Sequence, residues 1–445
     1  MRKGANKLNK QEQFQSIASF ILEIGVLYTV IFFVRHQFEY PNVAMYIAVA
    51  MVPILAFYAH RLENTFRIPF FVWAIVLGSL FRDSLMPIIE NISALTWLTT
   101  FLGILIIFGG GLEVKFKQFR KLLFPILSIA IIGALITSFL FSASLAGVSS
   151  LLGLPLTIGT IGLLGAMLCA TDPAAILPTL ETIKLKNPDT KTIAISESAV
   201  NDVLATIMTV VFAGIALNAH GAPTSLIDLY KHLFTLEVLG DFGKEIIVGV
   251  GIGFISYHLL QIWKKYGEVK RASFPFLIGV ALTSFALSSL WGGSGYLATF
   301  ITGLLFELGH GYHKVEEFFV NLVDGFVKPA VFVILGALIL PSFWGFAGLG
   351  ILMSILFMFL IRPLAVFGGL AWFVGRKNFQ FRDLLFLDAV RETGVIPAVL
   401  LVSYMPVLPD GELAFNIGAW VIVATLIVLP LITKWWATKL RVVAT

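Results

Sequence analysis

Charge is scarce in this chain. Asp, Glu, Lys and Arg make up 13% of its 445 residues, about half the roughly 25% of a soluble domain, while 58% are hydrophobic. That deficit excludes a cytosolic enzyme and leaves a polytopic membrane protein. Cysteine is nearly absent too. The single Cys169 rules out an intrachain disulfide and a cysteine-held metal cluster. No G-x-x-x-x-G-K-[ST] loop occurs, and no polar stretch is long enough for a nucleotide-binding domain, which argues against ATP-driven pumping and calls for no cofactor. The basic start (Arg2, Lys3, Lys7, Lys10) runs into an apolar stretch without a small-residue cleavage site, so no signal peptide is expected.

What is abundant is long apolar runs. Fourteen can cross a hydrocarbon core of about 30 Å, at about 16–34, 42–60, 68–82, 93–110, 121–146, 156–180, 190–218, 242–263, 273–290, 294–309, 317–340, 345–374, 383–405 and 413–436. The third and tenth are short. With the N-terminus inside, 24 of the 31 Lys and Arg residues fall in loops on that side and 3 (Arg35, Arg82, Lys231) on the other. This asymmetry predicts both termini cytoplasmic, and it assigns the formal net charge of +5 to orientation rather than to a nucleic-acid partner.

The remaining basic residues, Lys244, Lys328, Arg362 and Arg391, lie in or beside spans. An ionisable side chain there costs at least about 2.5 kcal/mol, which makes it a functional candidate. Lys244, Glu245, Glu307 and Glu113 sit near span ends and read as headgroup-level groups; Glu23 stands in the first span without an assigned role. The sixth span contains Thr171-Asp172-Pro173, where proline frees backbone carbonyls beside a carboxylate. Such a break is tolerated only where it is buried in protein or lines a wet cavity. The seventh contains Glu197-Ser198-x-x-Asn201-Asp202. Four-residue spacing stacks Glu197 on Asn201 and Ser198 on Asp202, an all-oxygen set suited to a hard cation. The thirteenth carries Asp388, Arg391 and Glu392, then Thr393-Gly394 and Pro397, a second break. Paired interrupted helices in corresponding places of two halves mark secondary transporters with a midplane site. Lys328, before Pro329, is expected to pair with Asp324 at four-residue spacing.

Together, Thr171-Asp172-Pro173, Glu197-Ser198-x-x-Asn201-Asp202, Arg362-Pro363 and Phe332-x-x-Leu335-Gly336 resemble the NhaP/NHE-type monovalent cation–proton antiporters (the cation–proton antiporter-1 family), in order over about 42–436. The resemblance implies an all-α fold of thirteen helices with inverted six-helix repeats and two broken helices crossing near the midplane, plus one extra N-terminal helix. It divides the chain into 1–41 (N-terminus and extra helix), 42–218 (first repeat), 219–272 (loop and linker helix) and 273–445 (second repeat and short C-terminus). It makes Asp202 the carboxylate that alternately holds Na⁺ or H⁺, with Asp172, Ser198 and the Thr171 carbonyl completing the cation shell. Asn201 would orient Glu197, whose charge Arg362 would neutralise, with Arg391 as a further supporting cation. Asn201 beside a single aspartate implies electroneutral exchange in the cell membrane by a homodimer. Li⁺ is expected as a surrogate and K⁺ as the alternative cargo.

The chain departs from the family at three places. Gly109 stands where many members carry a glutamate, the usual Arg-Gly near the thirteenth span reads Arg391-Glu392-Thr393-Gly394, and Lys328 replaces an acid found in some relatives. Two other classes compete. A channel would use a conducting filter rather than a saturable carboxylate site. An intramembrane enzyme would need catalytic loops, and the longest loop, 219–241, is modest; His310 and His313 face no carboxylate set.

Overall fold

The computed structural model describes residues 21–22, 25, 28–29, 32, 41–66, 68–172, 185–217, 225–266, 274–306, 313–339, 342–376, 379–440 and 442. Among these the chain is helical almost throughout. Eight helices are long and apolar enough to cross a membrane, nine if a bent pair counts as one span. The helices are α1 (Pro41–Phe66), α2 (Phe70–Leu80), α3 (Arg82–Ile89), α4 (Ile92–Glu113), α5 (Leu123–Leu152), α6 (Ile158–Leu168), α7 (Pro188–Leu217), α8 (Leu236–Tyr266), α9 (Phe274–Leu290) and α10 (Gly295–Phe306). They continue with α11 (Lys314–Leu338) and α12 (Ala347–Phe373), then α13 (Phe381–Ala389), α14 (Val395–Tyr404) and α15 (Gly411–Lys439). The expected spans from the second to the fourteenth overlap these helices, the thirteenth being divided between α13 and α14 and the sixth continuing beyond the described residues after Asp172. Most of the first span, with Glu23, lies outside the described residues, as do Pro173, Glu307 and His310.

Helix ends are fixed by local polar chemistry. Asn91 accepts from the Ala94 N–H at the start of α4 (3.0 Å), and Thr157 from the Thr160 N–H at the start of α6 (3.2 Å). Asp410, just ahead of α15, accepts from the Thr157 N–H (2.7 Å) and the Thr160 hydroxyl (2.6 Å), which ties the starts of α6 and α15 together. At the other end of α5, Gly153 adopts φ +63°, a left-handed stop that favours glycine. The third expected span turns through 86° between α2 and α3, and Arg82 donates to the Ala337 carbonyl at the end of α11.

Tight packing follows small residues, as lipid-embedded helices require. A Cβ on Gly78 of α2 would lie 2.0 Å from the Val333 carbonyl oxygen of α11, and one on Gly336 of α11 would lie 2.1 Å from the Ile75 carbonyl oxygen of α2. The two backbones therefore meet through reciprocal glycines. Away from such contacts, large apolar side chains such as Trp97, Phe124, Ile247, Phe359 and Leu431 are exposed, while Glu197, Asn201, Arg362 and Arg391 are buried. The molecule is apolar outside with charges inside, an arrangement suited to a bilayer as solvent.

Candidate functional site

The site is built where two helices stop. α6 ends at Leu168 and the chain continues without regular structure through Thr171 and Asp172; α13 ends at Ala389 and α14 begins only at Val395. These unwound segments cross. The Asp172 N–H donates to the Glu392 carbonyl (2.9 Å), and Asp172 Oδ2 accepts from the Val395 N–H (3.3 Å). One break thus caps the helix that leaves the other, with a carboxylate at the positive end of the α14 dipole. The close approach needs Gly394: a Cβ there would stand 2.0 Å from Asp172 Cβ.

Arg362 of α12 consolidates the crossing. Its Nη2 donates to the Leu168 (3.2 Å) and Ala170 (2.8 Å) carbonyls, its Nη1 to the Cys169 carbonyl (3.3 Å), and its Nη2 also to Thr393 Oγ1 (3.1 Å). The guanidinium lies 4.5 Å from the Phe357 ring centre. Arg362 therefore satisfies the carbonyls freed at the end of α6 and bridges them to the second break. The family pattern implied that Arg362 neutralises Glu197, but among the described residues the ion pair to Glu197 comes from Arg391, with Nη2 3.0 Å from Glu197 Oε1 and both side chains buried. Arg391 lies in the break two residues past the end of α13, whereas Arg362 is held at the carbonyls of α6.

Glu197 is further engaged. Thr171 Oγ1 donates to its Oε2 (3.2 Å) and Asn201 Nδ2 to its Oε1 (3.1 Å). Asn201 Nδ2 also reaches the Cys169 carbonyl (3.1 Å), and Ser198 donates to the Thr171 carbonyl. Asp202, one position on, points elsewhere. It is buried, and its Oδ1 has no hydrogen-bond partner among the described residues. It lines a small cavity of about 30 Å³ with Asp172, Ser198, Glu113 and Lys328. Of the expected cation shell, Asp172, Ser198 and Asp202 come together here. Thr171 instead lines a neighbouring cavity with Glu197 and Arg391. Glu113 and Lys328 join the site unexpectedly. Glu113 lies four residues after Gly109, hence on the same face of α4, and that spacing was the signal. Lys328 pairs with Asp324 as expected (2.8 Å).

A third and larger cavity, of about 320 Å³, is lined by Thr100, Thr206, Glu245, Tyr296, Ser403 and Tyr404 among others. Thr206 is one helical turn from Asp202 on the same face of α7. A Cβ on Gly103 of α4 would sit 3.2 Å from the Tyr296 hydroxyl and 3.3 Å from a Val399 methyl, so this layer packs tightly near the mouth of that cavity.

Two crossed helix breaks around buried carboxylates, in an otherwise apolar helical bundle, are the arrangement that marks the ion sites of secondary transporters, here in a polytopic membrane protein. Residues 45–439 match the family model described as the transmembrane sodium/hydrogen exchanger, and the chain belongs to that family. It is 30% identical over 336 residues to a protein named K(+)/H(+) antiporter NhaP2 from Shewanella oneidensis, covering 73% of this chain and 54% of that protein. It is 29% identical over 319 residues to Na(+)/H(+) antiporter 1 of Methanocaldococcus jannaschii, covering 67% of this chain and 68% of that one. The chain thus spans about half the length of the K⁺/H⁺ antiporters it matches. Its fold is that of the sodium proton antiporter MjNhaP1 of M. jannaschii at pH 8, with a TM-score of 0.72 and 22% identity over 89% of this chain and 98% of that one.

Proposed function

We propose that this protein exchanges Na⁺ for H⁺ across the cell membrane, with Asp202 as the one carboxylate that binds either ion. The observation that carries the reading is the contrast between the two acids of α7. Glu197 is consumed by Arg391, Thr171 and Asn201, whereas Asp202 keeps an uncommitted oxygen on a polar cavity shared with Asp172 and Ser198. A desolvated carboxylate favours its neutral form, so a proton and a cation compete for it. Two ligands that exclude each other at one site are coupled without further machinery, and one charge for one charge makes the exchange electroneutral. Hard cations take oxygen donors, and Asp172, Ser198 and Asp202 supply them.

K⁺ is the second reading, favoured by the names of the NhaP2 relatives. Both termini would face the cytoplasm, the repeats would be 42–218 and 273–445, and the working unit would be a homodimer. The test is a proteoliposome assay with an imposed pH gradient, adding Na⁺, Li⁺ or K⁺. Wild type releases protons on cation addition, its KM for the cation rises as pH falls because protons occupy Asp202, and Asp202→Asn abolishes exchange. Cation-dependent proton release surviving in Asp202→Asn refutes the assignment.

A further inference from the structure

The cavity beside Asp202 contains a cation of its own. α11 is π-helical over Val323–Val327, a widened turn of the kind found at functional sites, and Pro329 follows at once. This irregular turn places Lys328 where its side chain, 7% exposed, lines the same cavity as Glu113, Asp172 and Asp202. The ammonium is held by Asp324, 2.8 Å away, whose side chain is 45% exposed. Three carboxylates and one tethered ammonium therefore share a space with room for about one water molecule or bare cation.

We propose that Lys328 is a specificity-determining residue that sets the cation affinity of Asp202, and that Glu113, on the same cavity, offsets its charge. On the exchange reading above, the transported monovalent cation enters a cavity already holding one positive charge. Lys328 repels that cation, while Glu113 and Asp324 offset the repulsion. Glu113 thereby supplies, one turn further along α4, the carboxylate that is missing at Gly109. At an effective dielectric of about 20, one unit charge about 8 Å from the bound cation alters affinity by roughly thirtyfold, and partial offset by the neighbouring carboxylates and by solvent leaves a net effect of roughly three- to tenfold.

The test measures Na⁺-, Li⁺- and K⁺-dependent exchange in proteoliposomes for single and double variants, separating KM from maximal rate. Lys328→Met lowers the KM roughly three- to tenfold, and Glu113→Gln raises it by a similar factor. The double variant returns toward the wild-type KM, because two opposite charges facing one cavity have been removed together. Opposite signs are the signature, since a purely structural role would reduce maximal rate or yield of folded protein in both singles and leave KM alone. Should Lys328→Met fail to fold, Glu113→Gln decides: a KM that is unchanged or lowered overturns the proposal. Flat KM values in both singles, with exchange still lost in Asp202→Asn, overturn it while the exchange reading stands. Exchange that survives Asp202→Asn removes both.

Discussion

At the scale of single residues, the site is an exercise in which charges are spoken for. Asp172, Glu197, Asp202, Arg362 and Arg391 were legible in the sequence because ionisable groups inside long apolar runs are costly to bury. Their pairing was not. Two arginines from two helices were equally eligible partners for Glu197, and spacing along the chain does not say which guanidinium turns toward α7. The ion pair with Arg391 and the carbonyl contacts of Arg362 depend on how the two breaks cross. Glu113 was misread for a related reason: a residue near a span end resembles a headgroup contact until the cavity behind it is visible. The pairing has a measurable consequence. Arg391→Ala leaves Glu197 buried without its cation and destabilises the protein by about 3–5 kcal/mol. In double-mutant cycles on detergent-solubilised protein, read as unfolding temperature, Glu197 couples more strongly to Arg391 than to Arg362. The reverse order would contradict the geometry.

At the scale of elements, interruptions were easier to foresee than directions. Glycine and proline beside carboxylates announced breaks in the sixth and thirteenth spans, and the structure shows helix ends at Leu168 and Ala389. The 86° turn between α2 and α3 was not legible, because Arg82 and Asp83 read as the end of a short span rather than the start of a second helix. Helix contacts are governed by where a Cβ is tolerated. Gly78→Ala drives a methyl to 2.0 Å from the Val333 carbonyl oxygen, forcing α2 from α11 at a cost of about 1–3 kcal/mol or more. Gly147→Ala in α5, where nothing lies within 4 Å, is neutral or stabilising by up to about 1 kcal/mol. Thermal unfolding of the two variants side by side checks this, and equal losses would show that the α2–α11 approach is not a fixed contact.

For the whole molecule, composition alone indicated a membrane protein, and the exposed apolar side chains around buried charges agree with it. Orientation rests on the uneven distribution of Lys and Arg and is open to direct measurement. Cys169 is the only cysteine and is buried, so the wild-type chain is a quiet background for labelling. Glu90→Cys and Lys117→Cys each add one thiol at an exposed position, after α3 and after α4. A membrane-impermeant maleimide applied to intact cells labels the first and spares the second. Labelling of Lys117→Cys alone would invert the topology.

Asp202 and Thr206 lie on one face of α7, yet they open onto different cavities. Four residues of helix rise about 6 Å, against a hydrocarbon layer of about 30 Å. Along α7 the two cavities are therefore separated by only about one helical turn. On the exchange reading proposed above, protein only about one turn thick along α7 would part the two cavities, a short electrical barrier compared with the full width of the bilayer.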